Sequence, residues 1–213
     1  MRPASSAEAL ASSKIARPFD VALAATLHDP PGALAGDLAR LLPRLQALYR
    51  HVAVATSPPT ADGVKRLLAG ARAYAGTPAP NLRGPLYRLA LRRARAAATG
   101  RVHYLDLDRA LHWLLRAPRE LSAMLRVACR HPVLVVGRTP AAHRSHQLAL
   151  YATEVLANRL MAERVGVAGR LDLLAPSFVL TDALAARLLA RSRARDLAVY
   201  GELAALVLGS TPE

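Results

Sequence analysis

An α/β fold is predicted for this 213-residue chain: a three-layer, Rossmann-like, mostly parallel sheet with helices on both faces. Three observations predict it. Short apolar runs alternate with longer stretches of helical spacing. The runs are continuous in apolar character, as strands covered on both faces should be. Most of them end in a cluster of Pro, Gly, Ser or Asp that stops regular structure.

The elements follow in order. The first strand is expected over 20–27 (DVALAATL), closed by His28, Asp29, Pro30, Pro31 and Gly32. Leu34, Leu38, Leu41, Leu42, Leu45 and Leu48 then recur at helical spacing, so 33–50 reads as a helix, with Pro43 a kink or a break. A second strand is expected over 51–56 (HVAVAT), ended by Ser57, Pro58, Pro59 and Thr60. Residues 61–74 read as a helix, 76–84 as a loop, and 85–98 as an arginine-rich helix stopped by Gly100. A third strand, 101–105 (RVHYL), runs into Asp106-Leu107-Asp108-Arg109. A helix over 118–130, a fourth strand over 132–137 and a long helix over 145–165 come next. Residues 171–174 and 178–180 are further strand candidates, and helices over 182–191 and 196–208 close the chain.

Composition narrows the function classes. Hydrophobic residues are 53% and charged residues 21%, enough apolar material for a sizeable core. One cysteine, Cys129, excludes a disulfide framework and a Cys-rich zinc site, and reads as a small buried residue. Lys14 and Lys65 are the lysines among 29 basic residues, leaving 27 arginines, and the net charge is +14. The arginines are spread along the whole chain and aromatics are only 4%, so a basic nucleic-acid-binding protein is kept only as the least favoured alternative. The charge does favour anionic small molecules. No run reaches the ~20 apolar residues of a membrane span. The organisation expected is a mobile tail over 1–17 and a single domain over 18–213, with a cytoplasmic location.

Ligands of such sheets bind outside the carboxyl ends of the strands, so post-strand residues carry the chemistry. Thr26, His28 and Asp29, Ser57 and Thr60, Asp106 and Asp108, and Arg138 and Thr139 hold those places. The sharpest of them are Asp106 and Asp108. If the chain is extended there, residues two apart point the same way. Two carboxylates on one side of a strand end make a hard oxygen site for Mg²⁺ or Mn²⁺, and such a cation can bridge to a diphosphate. The following alternatives stand beside these readings. The acidic pair can be a solvated turn, and Arg88, Arg92, Arg93 and Arg95 can form a solvated helix face. Trp113 reads as a core anchor, and His143 and His146, with Arg138 and Arg144, lie where a phosphate or an acceptor can be touched. The apolar helix around Leu203, Leu206 and Val207 is either a homodimer face or the last layer on the sheet. No Walker loop, Gly-x-Gly-x-x-Gly fingerprint or Gly-x-Ser-x-Gly elbow is present.

The strand with Asp29 after it, Thr56-Ser57, the Gly84-to-Ala94 stretch and Tyr104-Leu105-Asp106-Leu107-Asp108-Arg109 together resemble the GT-A fold of nucleotide-sugar glycosyltransferases. Gly137-Arg138-Thr139, Gln147, Thr153-Glu154 and Asn158 also look like a bacterial group of glycosyltransferase-like proteins. The resemblance covers 19–189. It implies transfer of a sugar from a UDP- or GDP-linked donor to an unknown acceptor, with Mn²⁺ or Mg²⁺ as cofactor. It implies that Thr26 and Asp29 lie by the nucleoside, with Ser57 near its edge. Arg88 would approach the diphosphate or the sugar, and Arg138 a phosphate or the acceptor. Asp106 would contact the ribose or the metal through water, and Asp108 would ligate the metal directly. Glu154 would bind the acceptor or act as general base, or else be a helix-surface carboxylate paired with Arg159 or Arg164. Little sequence follows Leu189 to build an acceptor site. The alternative expectation is therefore a GT-A-like domain that binds nucleotide, or serves as a scaffold, without turnover.

Overall fold

The computed structural model describes residues 19–79, 81–97, 99–144, 148–166, 172–175 and 177–208. The expected tail over 1–17, together with His146 and Gln147, lies outside them. Among the described residues fifteen elements follow one another: β1 (Phe19–Leu27), α1 (Ala35–Leu48), β2 (Tyr49–Thr56), α2 (Asp62–Gly70), β3 (Tyr74–Gly76), α3 (Arg83–Arg95), β4 (Arg101–Tyr104), α4 (Leu107–Arg116), α5 (Pro118–Ala128), β5 (Val133–Val135), α6 (Pro140–Arg144), α7 (Leu148–Arg164), β6 (Phe178–Thr181), α8 (Asp182–Arg191) and α9 (Val199–Leu208).

Among the described residues the strands form one six-stranded sheet in the order β3-β2-β1-β4-β6-β5. The pairs β1–β2, β1–β4 and β2–β3 are parallel, while β6 runs antiparallel to both of its neighbours. The sheet is thus mostly parallel with one reversed strand. The strand order turns at β1, which has β2 on one side and β4 on the other. That is the topological switch point where open α/β sheets bind ligands.

Side-chain alternation along β1 divides the core. Val21, Leu23, Ala25 and Leu27 face one layer, built from α1, α2, α4 and α5. Ala22 and Ala24, with Ala53, Ala55 and Ala75, face the other, built from α3, α8 and α9. The second face is paved with small residues, so Tyr87, Leu91 and the backbone of α3 approach the sheet closely. Leu203 and Val207 are buried in this layer. The apolar stripe of the last helix therefore packs on the chain's own sheet.

Several expectations change. Helix α1 continues through Pro43, whose side chain is exposed while Leu38, Leu41, Leu42 and Leu45 face inward. The carbonyl that loses its partner there lies on the solvent side, where water can satisfy it. The helix stops at Tyr49, earlier than the spacing suggests, because Tyr49 is buried and its hydroxyl bonds His103 Nδ1 at 2.8 Å. The helix expected over 61–74 ends at Gly70, and 74–76 form an edge strand where the end of that helix and the start of a loop were expected. Of the strand expected over 171–174, residue 171 lies outside the described residues, and 172–174 are not strand, with a turn at 173–174. Trp113 packs against the first core as expected, but Cys129 is exposed, because it follows the last residue of α5 as its C-cap.

Gly84 shows where α3 meets the end of the chain. Its backbone N–H donates to the Arg195 carbonyl at 3.1 Å. A Cβ there would overlap the Ala194 carbonyl oxygen and lie 2.9 Å from the Ala194 carbonyl carbon. Backbone atoms cannot swing aside as a side chain can. Gly84→Ala is therefore expected to destabilise the protein by about 1–3 kcal/mol. A lowered midpoint in urea unfolding, with an unchanged slope, is the check.

Candidate functional site

The sheet's carboxyl edge carries a cleft of ≈ 270 Å³ bordered by Thr26, Leu27, His28, Leu34, Arg83, Asp106 and Asp108. It opens between the ends of β1 and β4, at the switch point. The starts of three helices meet it. Leu34 is the N-cap of α1, Arg83 is the first residue of α3, and Asp106 is the N-cap of α4. Helix N-termini carry unpaired N–H groups and partial positive charge, which favours an anion. At α1 that charge is already used: the Asp29 carboxylate accepts from the backbone N–H of Ala33 at 2.9 Å and of Leu34 at 3.0 Å. The starts of α3 and α4 have no side-chain cap bond.

Asp106 occupies an N-cap position without capping the helix. Its carboxylate is held from the other side. Tyr104 OH is 2.9 Å from Thr26 Oγ1, and Thr26 Oγ1 donates to Asp106 Oδ1 at 2.6 Å. The relay Tyr104–Thr26–Asp106 fixes one carboxylate oxygen. Burial raises the Asp106 pKa, opposed by the Thr26 hydrogen bond and by Arg109 and Arg83, while the Asp108 charge raises it further. An added cation near this carboxylate would favour its ionised form. Tyr104 stacks on Tyr87 with ring centroids 3.4 Å apart, and Tyr200 meets Tyr87 edge-on at 5.9 Å. The Tyr200 hydroxyl pKa is raised by burial and by Asp106, and Arg83, Arg109 and Asp108 also act on it. The first turn of α9 thus reaches the same neighbourhood.

The geometry of the acidic pair differs from the expected one. Asp106 ends the strand segment, but Leu107 begins α4, so Asp108 sits in the first turn of a helix. Strand alternation does not relate the two carboxylates. They border one cleft because a helix start curls Asp108 over Asp106. Two hard oxygen donors beside a cleft that favours anions fit Mg²⁺ or Mn²⁺, which commonly take one or two protein carboxylates and complete their shell with water and phosphate oxygens. Among the described residues no group of three or more His, Cys, Asp or Glu is placed to hold a metal unaided.

The other expected residues are distributed as follows. Thr26 borders the cleft, as the hinge of the relay. Asp29 is buried and organises the β1–α1 loop. Ser57 is buried, its hydroxyl 2.8 Å from His28 Nδ1 and 2.9 Å from Thr60 Oγ1, so it sets the loop on which His28 sits. Arg88 does not border the cleft. Its guanidinium donates to Ser192 Oγ at 3.2 Å and to the Ala194 carbonyl at 2.8 Å, tying α3 to the segment before α9. The arginine of α3 at the cleft is Arg83, one residue before the stretch singled out in the sequence. Arg138 is committed to Asp172, through Nε at 2.6 Å and Nη2 at 2.8 Å, and to Glu154 at 2.7 Å. Glu154 thus pairs with Arg138, in the loop after β5, while Arg159 bonds Glu163.

No family model matches the chain, and no curated protein matches it. Among solved structures, the glucosyl-3-phosphoglycerate synthase of Mycobacterium tuberculosis, in complex with uridine diphosphate, is similar to it with a TM-score of 0.52. The two share 16% sequence identity, and the match covers 95% of this chain and 69% of that one. Among the described residues no helix is long and apolar enough to cross a membrane. At this identity the likeness is one of architecture: the chain has a mixed α/β, GT-A-like fold.

Proposed function

We propose that the cleft between β1 and β4 binds the diphosphate of a nucleotide-sugar donor and that the protein is a metal-dependent glycosyltransferase. The observation that carries this is the Asp106 carboxylate: an N-cap acid diverted from capping, braced by Thr26, and facing Asp108 and Arg83 across one cleft. The similarity to a UDP-bound glycosyltransferase supports the donor class. Asp106 and Asp108 are the residues that would hold the divalent ion, which when bound neutralises the diphosphate and eases its departure. Arg83 and the start of α4 bind the same oxygens from the protein side. Thr26 and Tyr104 keep Asp106 in place, so it need not reorganise when the donor arrives. The acceptor is a second substrate of unassigned class.

Calorimetry with UDP in the presence of Mn²⁺ is the test. Asp108→Ala and Arg83→Ala are each expected to weaken binding about tenfold to a hundredfold, the worth of a charge-assisted bond. Binding that is indifferent to both substitutions, or to chelation of the metal, would sink the proposal.

One observation favours a second reading, in which the domain binds nucleotide without turnover. Glu154, the acid expected to serve the acceptor, is paired with Arg138 and does not border the cleft. Release of UDP from UDP-glucose, followed with and without Mn²⁺, separates the two: donor binding with no release supports the second.

A further inference from the structure

A second cleft, of ≈ 390 Å³, opens on the α3 face of the sheet beside the edge strand β3. His51, Arg72, Tyr74 and Arg93 border it, with alanines between them, and no carboxylate does. It lies at the far end of α3 from Arg83: Arg93 is ten residues further along, about 15 Å at 1.5 Å per residue. It is therefore separate from the donor cleft.

The backbone at Arg72 singles this place out. Helix α2 ends in a left-handed turn in which Arg72 N–H donates to the Ala69 carbonyl at 2.9 Å and Ala73 N–H to Leu68 at 2.8 Å. Arg72 itself has φ +57°, and it is the one non-glycine residue with positive φ among those described. Glycine is the residue that closes helices in this way without strain, and a side chain here destabilises the fold. Arginine at such a position is explained if its guanidinium is used. Arg72 and Arg93 both stand at helix carbonyl ends, of α2 and α3, where a cation is favoured, but that favour does not offset the left-handed backbone that Arg72 alone adopts among the described non-glycine residues.

We propose that this cleft is a binding site for a small phosphomonoester. The two guanidinium groups offer forked donors that match phosphate oxygens and balance a dianion. Burial lowers the His51 pKa, so at neutral pH its ring serves as an uncharged partner. The Tyr74 ring, 36% exposed, gives the organic part of the ligand an apolar wall. The volume suits a small metabolite rather than a folded partner. The net charge of +14 draws such anions to the surface. None of this rests on the glycosyltransferase reading.

The test uses phenyl phosphate and inorganic phosphate as probes, titrated into the full chain by calorimetry. Phenyl phosphate is expected to bind more tightly than inorganic phosphate. Arg72→Gly is expected to raise the melting temperature by roughly 2–4 °C, because it relieves the left-handed arginine. The same variant is expected to weaken phenyl phosphate binding about tenfold or more, as is Arg93→Ala. Arg83→Ala, in the other cleft, is expected to leave it unchanged. Since Arg72→Gly stabilises the fold, its loss of binding cannot come from unfolding. Binding by Arg72→Gly equal to that of the unmodified protein overturns the proposal. So does the absence of saturable binding at millimolar phenyl phosphate, and so does a loss confined to Arg83→Ala.

Discussion

Arg138→Ala is expected to destabilise the protein by about 2–4 kcal/mol, somewhat below the range for removing one partner of a fully buried ion pair. Its guanidinium stands between two acids, Asp172 at 2.6 Å and Glu154 at 2.7 Å. The three side chains are 12%, 10% and 12% exposed. Alanine removes the cation that these two carboxylates share. The network also carries backbone: Arg138 N–H donates to Asp172 at 3.0 Å, Asn158 Nδ2 to Asp172 at 3.1 Å, and Leu174 N–H to Asn158 at 2.9 Å. It therefore fastens α7 and the 172–174 segment to the loop after β5. Arg138→Lys is expected to recover only part of the loss, since an ammonium cannot fork onto Asp172 while reaching Glu154. The triple variant Arg138→Met, Glu154→Gln, Asp172→Asn is expected to lie closer to the unmodified protein than Arg138→Ala does, because the acids are neutralised together with the cation. Urea midpoints of the three variants check the order. A midpoint for Arg138→Ala within error of the unmodified protein would mean that the network contributes nothing.

The layer architecture could be read from the chain because continuous apolar runs and helical spacing are local signals. The 20–27 run became β1 and the leucine series from Leu34 became the face of α1. The carboxyl edge as the place for chemistry followed from topology alone, and the cleft lies there. The details that failed did so for two reasons. Some needed a change of period. Asp106-Leu107-Asp108 was read with the strand period of two, although Asp106 followed by Leu107, Ala110, Leu111 and Leu114 also marks a capped amphipathic helix, and the helix is what forms. Others depended on distant partners. Arg83 and Arg88 diverge by about 140° around α3 at 100° per residue, so only one can face the cleft. Which one was decided by Ser192 and Ala194, more than a hundred residues later, which take Arg88. Glu154 and Arg138 are sixteen residues apart with α6 and the start of α7 between them, and no periodicity links them. Tyr200 reaches the site's surroundings through the docking of α9, and nothing in its own neighbours in sequence signals that.

The last prediction concerns acid. His103 lies in the middle of β4, fully buried, between Tyr49 OH at 2.8 Å from Nδ1 and Ser177 Oγ at 3.1 Å from Nε2. It spans the sheet's interior from the start of β2 to the strand entering β6. Burial lowers its pKa from 6.5 to about 3, so it stays neutral in the folded protein, while the unfolded chain takes up a proton near 6.5. A lowered histidine pKa contributes stability that is complete above pH 6.5 and is lost as the pH falls toward 3. At 1.36 kcal/mol per unit the loss across that window is on the order of 5 kcal/mol. His51, also lowered by burial, adds in the same direction from a partly exposed position. Asp172 acts in a different window. Burial would raise it, but its bonds from Arg138 outweigh that and hold it at about 2, so its contribution is intact above 3.8 and fades only below that. At pH 5 the acid loss is therefore expected to come from histidine, before the Arg138 network is touched. Unfolding free energy measured in urea from pH 7.5 to 4.5 should fall steeply in the unmodified protein and much less in His103→Gln, which starts less stable at neutral pH because it fits the Tyr49–Ser177 gap less well. Equal slopes for the two proteins would show that the buried ring takes up its proton without opening the sheet.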